Sequence, residues 1–228
     1  DGSAEARRGS WKEEANRRPS ALPVQTPHSI VDAGARCPLP RSKSKGFAGA
    51  EMTTSLEERF PRLDTYSEVK RLFADNWREQ GCLVLDFLEA AGATEVTVGR
   101  WLPDDGLAVA GASRSQCRRL SLLVGLPVVP LLTVSATPVS AHVRISTWSQ
   151  PVGTSISIET ELSSMDEHFR NAFVMQEHIS LVPSEKNLNV TKAYGLSFSR
   201  STWLQSAVES YVKAGQKKLS ALMREFIE

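Results

Sequence analysis

The sequence predicts an α+β fold in which a curved antiparallel sheet wraps around a long C-terminal helix. Three observations support this prediction. Six strand-like segments, separated by turn residues, follow one another between residues 94 and 198. Neighbouring segments can be aligned as hairpins that place apolar side chains on one face. A stripe of apolar residues at helical spacing then runs from Leu204 to Phe226.

The composition is that of a globular domain preceded by a polar segment. Hydrophobic residues make up 41% of the chain and charged residues 23%, and the net charge of +1 gives no reason to expect a nucleic-acid partner. Residues 1–51 are rich in Ser, Pro, Gly and charge and have no apolar periodicity, so we expect a disordered or non-native N-terminal extension. Residues 52–228 form the predicted domain, and a fragment of a longer protein is an equally open interpretation.

Cysteine and histidine usage points away from disulfide and metal chemistry. The three cysteines, Cys37, Cys82 and Cys117, have neither paired nor metal-type spacing. We therefore expect no disulfide framework and an intracellular, cytoplasmic location that can include organelle membranes. The histidines form no metal-binding pair, so we expect neither a metal nor a cofactor. No apolar run reaches the roughly 18–20 residues that span a bilayer.

The predicted elements follow in chain order. Residues 65–76 form a short amphipathic helix, and residues 82–92 form a second helix, with a strand as the alternative. The strand candidates are residues 94–101, 117–124, 139–147, 154–162, 171–182 and 187–198.

Two hairpin registers follow from the apolar alternation. Setting Val182 opposite Asn187 gives the pairs Phe173–Leu196, Met175–Tyr194, Glu177–Lys192, Ile179–Val190 and Leu181–Leu188. The preceding hairpin gives Ile145–Ile156, Val143–Ile158 and Val139–Leu162. A slip of two residues in either hairpin would preserve the same apolar face, so both registers are hypotheses.

The last helix is expected to begin after a cap at Ser201 or Thr202 and to extend for roughly 33 Å. Its predicted apolar stripe consists of Leu204, Val208, Tyr211, Gly215, Leu219, Leu222 and Phe226. A glycine inside a helix costs about 1 kcal/mol relative to alanine. Gly215 therefore either allows close packing against a bulky sheet residue or leaves space for a ligand between helix and sheet.

One charged pair interrupts the apolar face of the predicted sheet. Glu177 and Lys192 either orient the polar group of an apolar ligand or form a structural ion pair at a wet end of the sheet. His142 and His178 fall on the opposite, outer face, where we expect solvated side chains. A long helix packed at an angle across a curved antiparallel sheet is the helix-grip arrangement, which tends to enclose an apolar cavity.

The segment "GLPVVPLLTV" is more apolar than an ordinary surface loop. It is either a lip that touches a membrane or a bent strand in the core. The lip interpretation assigns membrane contact to Leu126, Val128, Val129 and Leu131.

Four segments together resemble a known family: "VTVGRWLP", "RRLSLLVGLPVVPLLTVSATPVSAHVRIS", "IETELSSMDEHFRNAFVMQEHISLV" and "LSFSRSTWLQSAVESYVKAG". They are similar to the VASt domains, the StART-like lipid-binding domains found beside GRAM domains in plant, fungal and animal (Aster-type) proteins. In the turn of that family, Asp166, Phe169 and Phe173 match, whereas Glu167 and His168 stand at the Val-Pro positions. The resemblance covers about residues 60–228.

The resemblance implies a non-catalytic domain that binds a sterol, a phospholipid or another lipid and transfers it between membranes. It also implies a GRAM or membrane-anchor region that this chain does not include. The predicted ligand-binding residues are Trp101, Phe173, Met175, Glu177, Lys192, Tyr194, Val208, Tyr211 and Gly215. Two alternatives stay open, namely a helix-grip enzyme such as a cyclase or hydrolase acting on an apolar small molecule, and a protein-interaction domain with a solid core.

Overall fold

A computed structural model describes residues 51–61, 64, 65, 67, 88, 93–104, 112–125, 136–165, 173–198 and 205–228. All of these residues belong to one compact unit. Nearly all of the predicted extension, the membrane-contact candidates and the helix cap lie outside the described residues. The two predicted short helices fall mostly outside them as well, although Thr65, Ser67 and Leu88 are helical.

The described strands form one open antiparallel sheet with a helix after the last strand, which confirms the predicted α+β class. Eight strands are present in these ranges: β1 (Thr53–Pro61), β2 (Thr94–Val98), β3 (Leu102–Pro103), β4 (Arg114–Gly125), β5 (Ala136–Gln150), β6 (Gly153–Ser164), β7 (Phe173–Pro183) and β8 (Asn187–Phe198). Their order is β1-β8-β7-β6-β5-β4-β2, and β3 also pairs with β4. The C-terminal helix, α1, spans Gln205–Ile227.

Strand β1 was missed by the sequence analysis. It pairs with β8, so the first strand lies beside the last one. Its inward side chains Leu56 and Phe60 are buried in the core. The sequence "TTSLEERFP" holds only two strongly apolar residues among its nine, which is too few for apolar alternation to indicate a strand.

Both predicted hairpin registers were wrong by two residues, and the cause is the same in each. In the β7–β8 hairpin, Met175 lies opposite Leu196 and Glu177 opposite Tyr194. The chain turns in a tighter connection than predicted, closed by a 2.7 Å hydrogen bond from the Ser184 amide to the Asn187 carbonyl. Because the shift is an even number of residues, every side chain keeps its predicted face.

The β5–β6 hairpin shows the same shift. Ile145 lies opposite Ile158, whereas the sequence analysis had placed it opposite Ile156. The turn consists of Pro151 and Val152, between Gln150 and Gly153. Gly153 has a φ of 143°, a conformation that L side chains rarely adopt, so glycine favours this tight turn.

A second glycine permits a close backbone approach beside β2. The Gly99 amide donates a 2.8 Å hydrogen bond to the Arg119 carbonyl of β4. A Cβ atom at this position would lie 2.8 Å from the same carbonyl oxygen, which is closer than real Cβ contacts.

Helix α1 is present as predicted, but its buried side is rotated from the predicted stripe. The buried residues are Gln216, Leu219, Ser220, Met223 and Ile227. Leu222 is only partly buried, and Tyr211 is 36% exposed. Leu222 and Met223 fit a helical apolar pattern equally well, so apolar periodicity alone did not fix the phase of the helix.

The expectation that the cysteines are unpaired was wrong for one of them. Cys117 is buried on β4 and is disulfide-bonded to a cysteine outside the described residues. Spacing along the sequence does not report which cysteines meet in space.

Candidate functional site

Three polar side chains meet between the sheet and α1. Lys192 of β8 is fully buried, and its Nζ lies 2.8 Å from Glu177 Oε2 of β7. The same Nζ donates a hydrogen bond to Gln216 Oε1 of α1, and Gln216 Nε2 donates one of 2.9 Å to Glu177 Oε2. A buried ion pair is costly unless further hydrogen bonds complete it, and Gln216 supplies them here. We call Glu177, Lys192 and Gln216 the polar cluster.

Two contacts fix the direction in which α1 crosses the sheet. Gln216 touches the sheet at Lys192, which lies opposite Leu56, and Arg224 bonds Glu58 two residues further along β1 with an Nε–Oε1 distance of 2.6 Å. The C-terminal part of α1 therefore runs toward Phe60. Residues 205–215 run toward the other end, where Phe198 precedes the helix by seven positions.

The part of the interface on the C-terminal side of the polar cluster is closed, and we call it the closed half. It consists of residues 216–227 of α1 and of the sheet residues that they cover. Its apolar sheet side chains are buried, namely Leu56, Phe60, Ile156, Ile158, Ile179, Leu181, Leu188 and Val190. Met223, at the centre of the helix side, is 0% exposed. This half is a packed core of the ordinary kind.

The part of the interface on the other side of the polar cluster is not closed, and we call it the open half. It consists of residues 205–215 of α1 and of the sheet side chains Leu162, Phe173, Met175, Tyr194, Leu196 and Phe198, all of which are half-buried. None of the helix residues in this half is buried. The Phe173 and Phe198 rings, 6.1 Å apart between centroids, mark its outer end.

The open half presents an apolar wall that ends at a polar floor. Thr160 of β6 and Tyr194 of β8 lie directly opposite Glu177 on the two neighbouring strands and on the same face. Partial burial raises the pKa of the Tyr211 phenol on α1, although the residue is 36% exposed. The arrangement offers apolar surface together with hydrogen-bonding groups, as ligand sites commonly do.

The predicted ligand-binding residues fall into a group on the sheet, a group on α1, and Trp101. Phe173, Met175, Glu177, Lys192 and Tyr194 share one face of β7 and β8, while Val208, Tyr211 and Gly215 lie on the N-terminal part of α1. Their assignment to a ligand is still a prediction.

Trp101 is separate from this group. Its ring centroid lies 4.3 Å from the Arg118 guanidinium carbon, and β5 and β6 separate Arg118 from Glu177. Trp101 therefore lies apart from the polar cluster.

The sequence analysis missed several members of the site. Gln216 is the most important, because it is 2% exposed and joins α1 to both charges. A signal for it existed, since Gln216, Leu219, Met223 and Ile227 follow one another at helical spacing. Thr160 was missed because no register was predicted between β6 and β7, and Leu196 was missed because the predicted β7–β8 register placed Tyr194 beside Met175.

The outer face of the sheet holds a separate set of polar contacts. Arg144 donates to Asp104 at 2.7 Å and to Glu159 at 2.9 Å, and the Ser157 hydroxyl lies 2.9 Å from His178 Nε2. His142 and His178 thus occupy the predicted outer face. Burial, reinforced by the nearby Arg119, lowers the pKa of His142, while Glu161 opposes this effect.

Within the described ranges, no helix is long and apolar enough to cross a membrane. Nor do three His, Cys, Asp or Glu side chains come together as metal ligands in that part of the chain.

Neither a protein-family model nor a curated protein sequence matches the chain. Among solved structures, the chain is similar to the crystal structure of TTHA0849 from Thermus thermophilus, with 13% sequence identity and a TM-score of 0.36. The match covers 78% of this chain and 97% of that one. A TM-score this low supports no conclusion about fold family or function.

Proposed function

We propose that this protein is a non-catalytic carrier that binds a sterol or another lipid between α1 and the sheet and transfers it between membranes. The observation that supports the proposal most strongly is the open half, where the apolar side chains of the sheet stay half-buried and none of residues 205–215 is buried. Apolar surface left uncovered beside a packed core is typical of binding sites. The apolar part of a lipid would complete the burial that the chain itself leaves incomplete.

The polar cluster is suited to the head of such a ligand. Lys192 has three N–H donors, of which the described contacts use two. Both hydrogen bonds to Glu177 fall on Oε2, so Oε1 is available to accept another. A ligand hydroxyl at the boundary between the two halves would find an acceptor in Glu177 Oε1, while Lys192, which is 0% exposed, holds the carboxylate in place.

The helix-grip form and the VASt-like resemblance belong to the same proposal. The sheet order, with β1 beside β8 and a long helix after β8, is compatible with a helix-grip fold. The resemblance covers α1 and the strands that build the open half. Transfer between membranes, peripheral membrane contact through residues 126–131 and a separate membrane anchor rest on that resemblance alone.

The first experiment asks whether the open half holds a lipid. The full chain is expressed in a eukaryotic host, purified, weighed by native mass spectrometry and extracted with organic solvent. We expect a lipid in near-stoichiometric amount, lost in the variant Leu196→Glu because a charge in the apolar wall opposes burial of a hydrocarbon. Ser197→Glu is the matched control, since Ser197 is the next residue and lies on the outer face.

The second arm asks whether the protein moves lipid. Wild-type protein is expected to carry fluorescent sterol or phospholipid between vesicles, whereas Leu196→Glu is not. A folded protein that contains no lipid and takes up neither probe would contradict the proposal and would favour a protein-interaction domain. Chemical conversion of the extracted molecule over time would favour an enzyme instead.

A further inference from the structure

The residues on either side of Glu177 indicate more about the ligand than the polar cluster does. Thr160 and Tyr194 face Glu177 directly across the β6–β7 and β7–β8 ladders, and all three side chains lie on the face that α1 covers. Directly opposed residues on one face lie about 5 Å apart. Three adjacent strands therefore present a row of three oxygen-bearing side chains at the floor of the open half.

The two hydroxyls in this row have no described protein partner. Among the described residues, neither the Thr160 hydroxyl nor the Tyr194 hydroxyl forms a hydrogen bond, although both residues are half-buried. Valine and phenylalanine would provide nearly the same packing without a polar atom to satisfy. Both hydroxyls are therefore available to bond a ligand at the floor of the open half.

The charges of the site restrict what the row can hold. Lys192 and Glu177 are in contact at 2.8 Å and neutralise each other. A charged ligand group placed beside this pair would be partly desolvated without a counter-ion in the polar cluster, which is unfavourable. The other charged side chain in this row is Arg118 of β4, which lies beyond Val143 with its guanidinium over the Trp101 ring. An uncharged group that donates and accepts hydrogen bonds meets no such penalty.

We infer that the ligand is an uncharged amphiphile with two adjacent hydrogen-bonding groups, as in a 1,2-diol, and that Thr160 and Tyr194 recognise the second of these groups. This inference rests on the proposed function and adds a specificity to it. The first group bonds the polar cluster, and the second bonds a hydroxyl of the row. A ligand with a single hydroxyl uses only part of the site.

The test compares two probes that differ by one hydroxyl, 1-dodecanol and 1,2-dodecanediol, by displacement of Nile red from the full chain. We expect the diol to bind about fivefold more tightly, the effect of one additional net hydrogen bond. Thr160→Val and Tyr194→Phe should each reduce this preference, because each removes a hydroxyl that bonds the second group. Thr160→Ser should retain the preference, because it retains the hydroxyl.

Thr191→Val is the matched control, since Thr191 is also half-buried but lies on the outer face of β8. It should leave the preference intact. Equal affinity of the two probes, or a preference that survives in both Thr160→Val and Tyr194→Phe, would overturn the inference while leaving lipid binding in place. If Nile red and both alcohols fail to bind at all, the proposed function fails together with this inference.

Discussion

The closed and open halves of the helix–sheet interface are built from the same strands but differ in how completely they are buried. On β8, Leu188 is 0% exposed under the C-terminal part of α1, whereas Leu196 on the same face is half-buried near the start of the helix. The polar cluster lies between these two environments. One helix therefore differs along its length. Residues 216–227 complete a buried core, whereas the apolar side chains of the open half stay half-buried.

The contacts made by α1 explain the difference between the halves. Gln216 bonds Lys192 and Glu177, and Arg224 bonds Glu58, so the described polar contacts between α1 and the sheet all lie at or beyond position 216. Gly215 immediately precedes the first of them. Residues 205–215 lie on the N-terminal side of these contacts.

The largest expected effect concerns the polar cluster. Lys192→Met should lower the free energy of unfolding by about 3–5 kcal/mol, because it leaves Glu177 buried without its counter-charge. Replacing both charges, as Lys192→Met with Glu177→Leu, should recover most of that loss. Urea denaturation measures both variants. If Lys192→Met alone were as stable as wild type, the Glu177–Lys192 pair would not be a buried ion pair in the folded protein.

The second prediction compares the halves with identical substitutions in one strand. Leu188→Ala should cost about 2–5 kcal/mol, because the surrounding core cannot collapse onto the missing atoms. Leu196→Ala should cost about 1 kcal/mol or less in the absence of lipid, since its side chain is already in partial contact with water. Equal losses in the two variants would remove the distinction between a closed and an open half.

The third prediction concerns β4, which lies outside both halves. Reduction of the Cys117 disulfide should lower the free energy of unfolding by about 2–4 kcal/mol. Thermal unfolding with and without a reductant measures the change. Cys117→Ala is the control, because its unfolding should not respond to the reductant. Lipid content should stay the same in the reduced protein, and loss of lipid on reduction would tie this bond to the open half.

The smallest expected effect is a pH dependence from the outer face. The pKa of His142 is lowered in the folded protein, mainly by burial and further by Arg119, below its unfolded value of about 6.5. The unfolded state therefore binds more protons as the pH falls through 6.5, and stability decreases in that direction. His142→Gln should flatten the decrease by less than about 1 kcal/mol, since the residue is half-buried. An unchanged pH profile would contradict this assignment.

Apolar alternation was sufficient to predict which face of β5, β6, β7 and β8 is buried. The strands β4 to β8 and the helix α1 were all expected. The even shift in both hairpins changed the opposed pairs but kept each side chain on its predicted face of the sheet. Turn length was not determined by composition, because segments such as "PSEK" are compatible with turns of two or four residues. Because of that ambiguity, the sequence placed Lys192 opposite Glu177, whereas Tyr194 lies there in the structure.

Features that depend on contacts between distant parts of the chain could not be predicted from apolar alternation. The pairing of β1 with β8 joins residues more than 120 positions apart, and β1 has little apolar signal of its own. Gln216 becomes part of the site only because α1 crosses the sheet at Lys192. The disulfide of Cys117 likewise depends on the fold and not on spacing along the sequence.

Methionine methyl NMR tests the contrast between the two halves most directly. The chain has four methionines, of which Met175 lies in the open half, Met223 lies in the closed half, and Met52 and Met165 are exposed. The full chain is labelled at the methionine methyl carbons, each signal is assigned by a Met→Leu variant, and a delipidated sample is titrated with sterol or phospholipid. The two-half arrangement predicts that the Met175 signal shifts with saturation while the Met223 signal stays in place. Equal shifts at both residues, or a shift at neither, would contradict it.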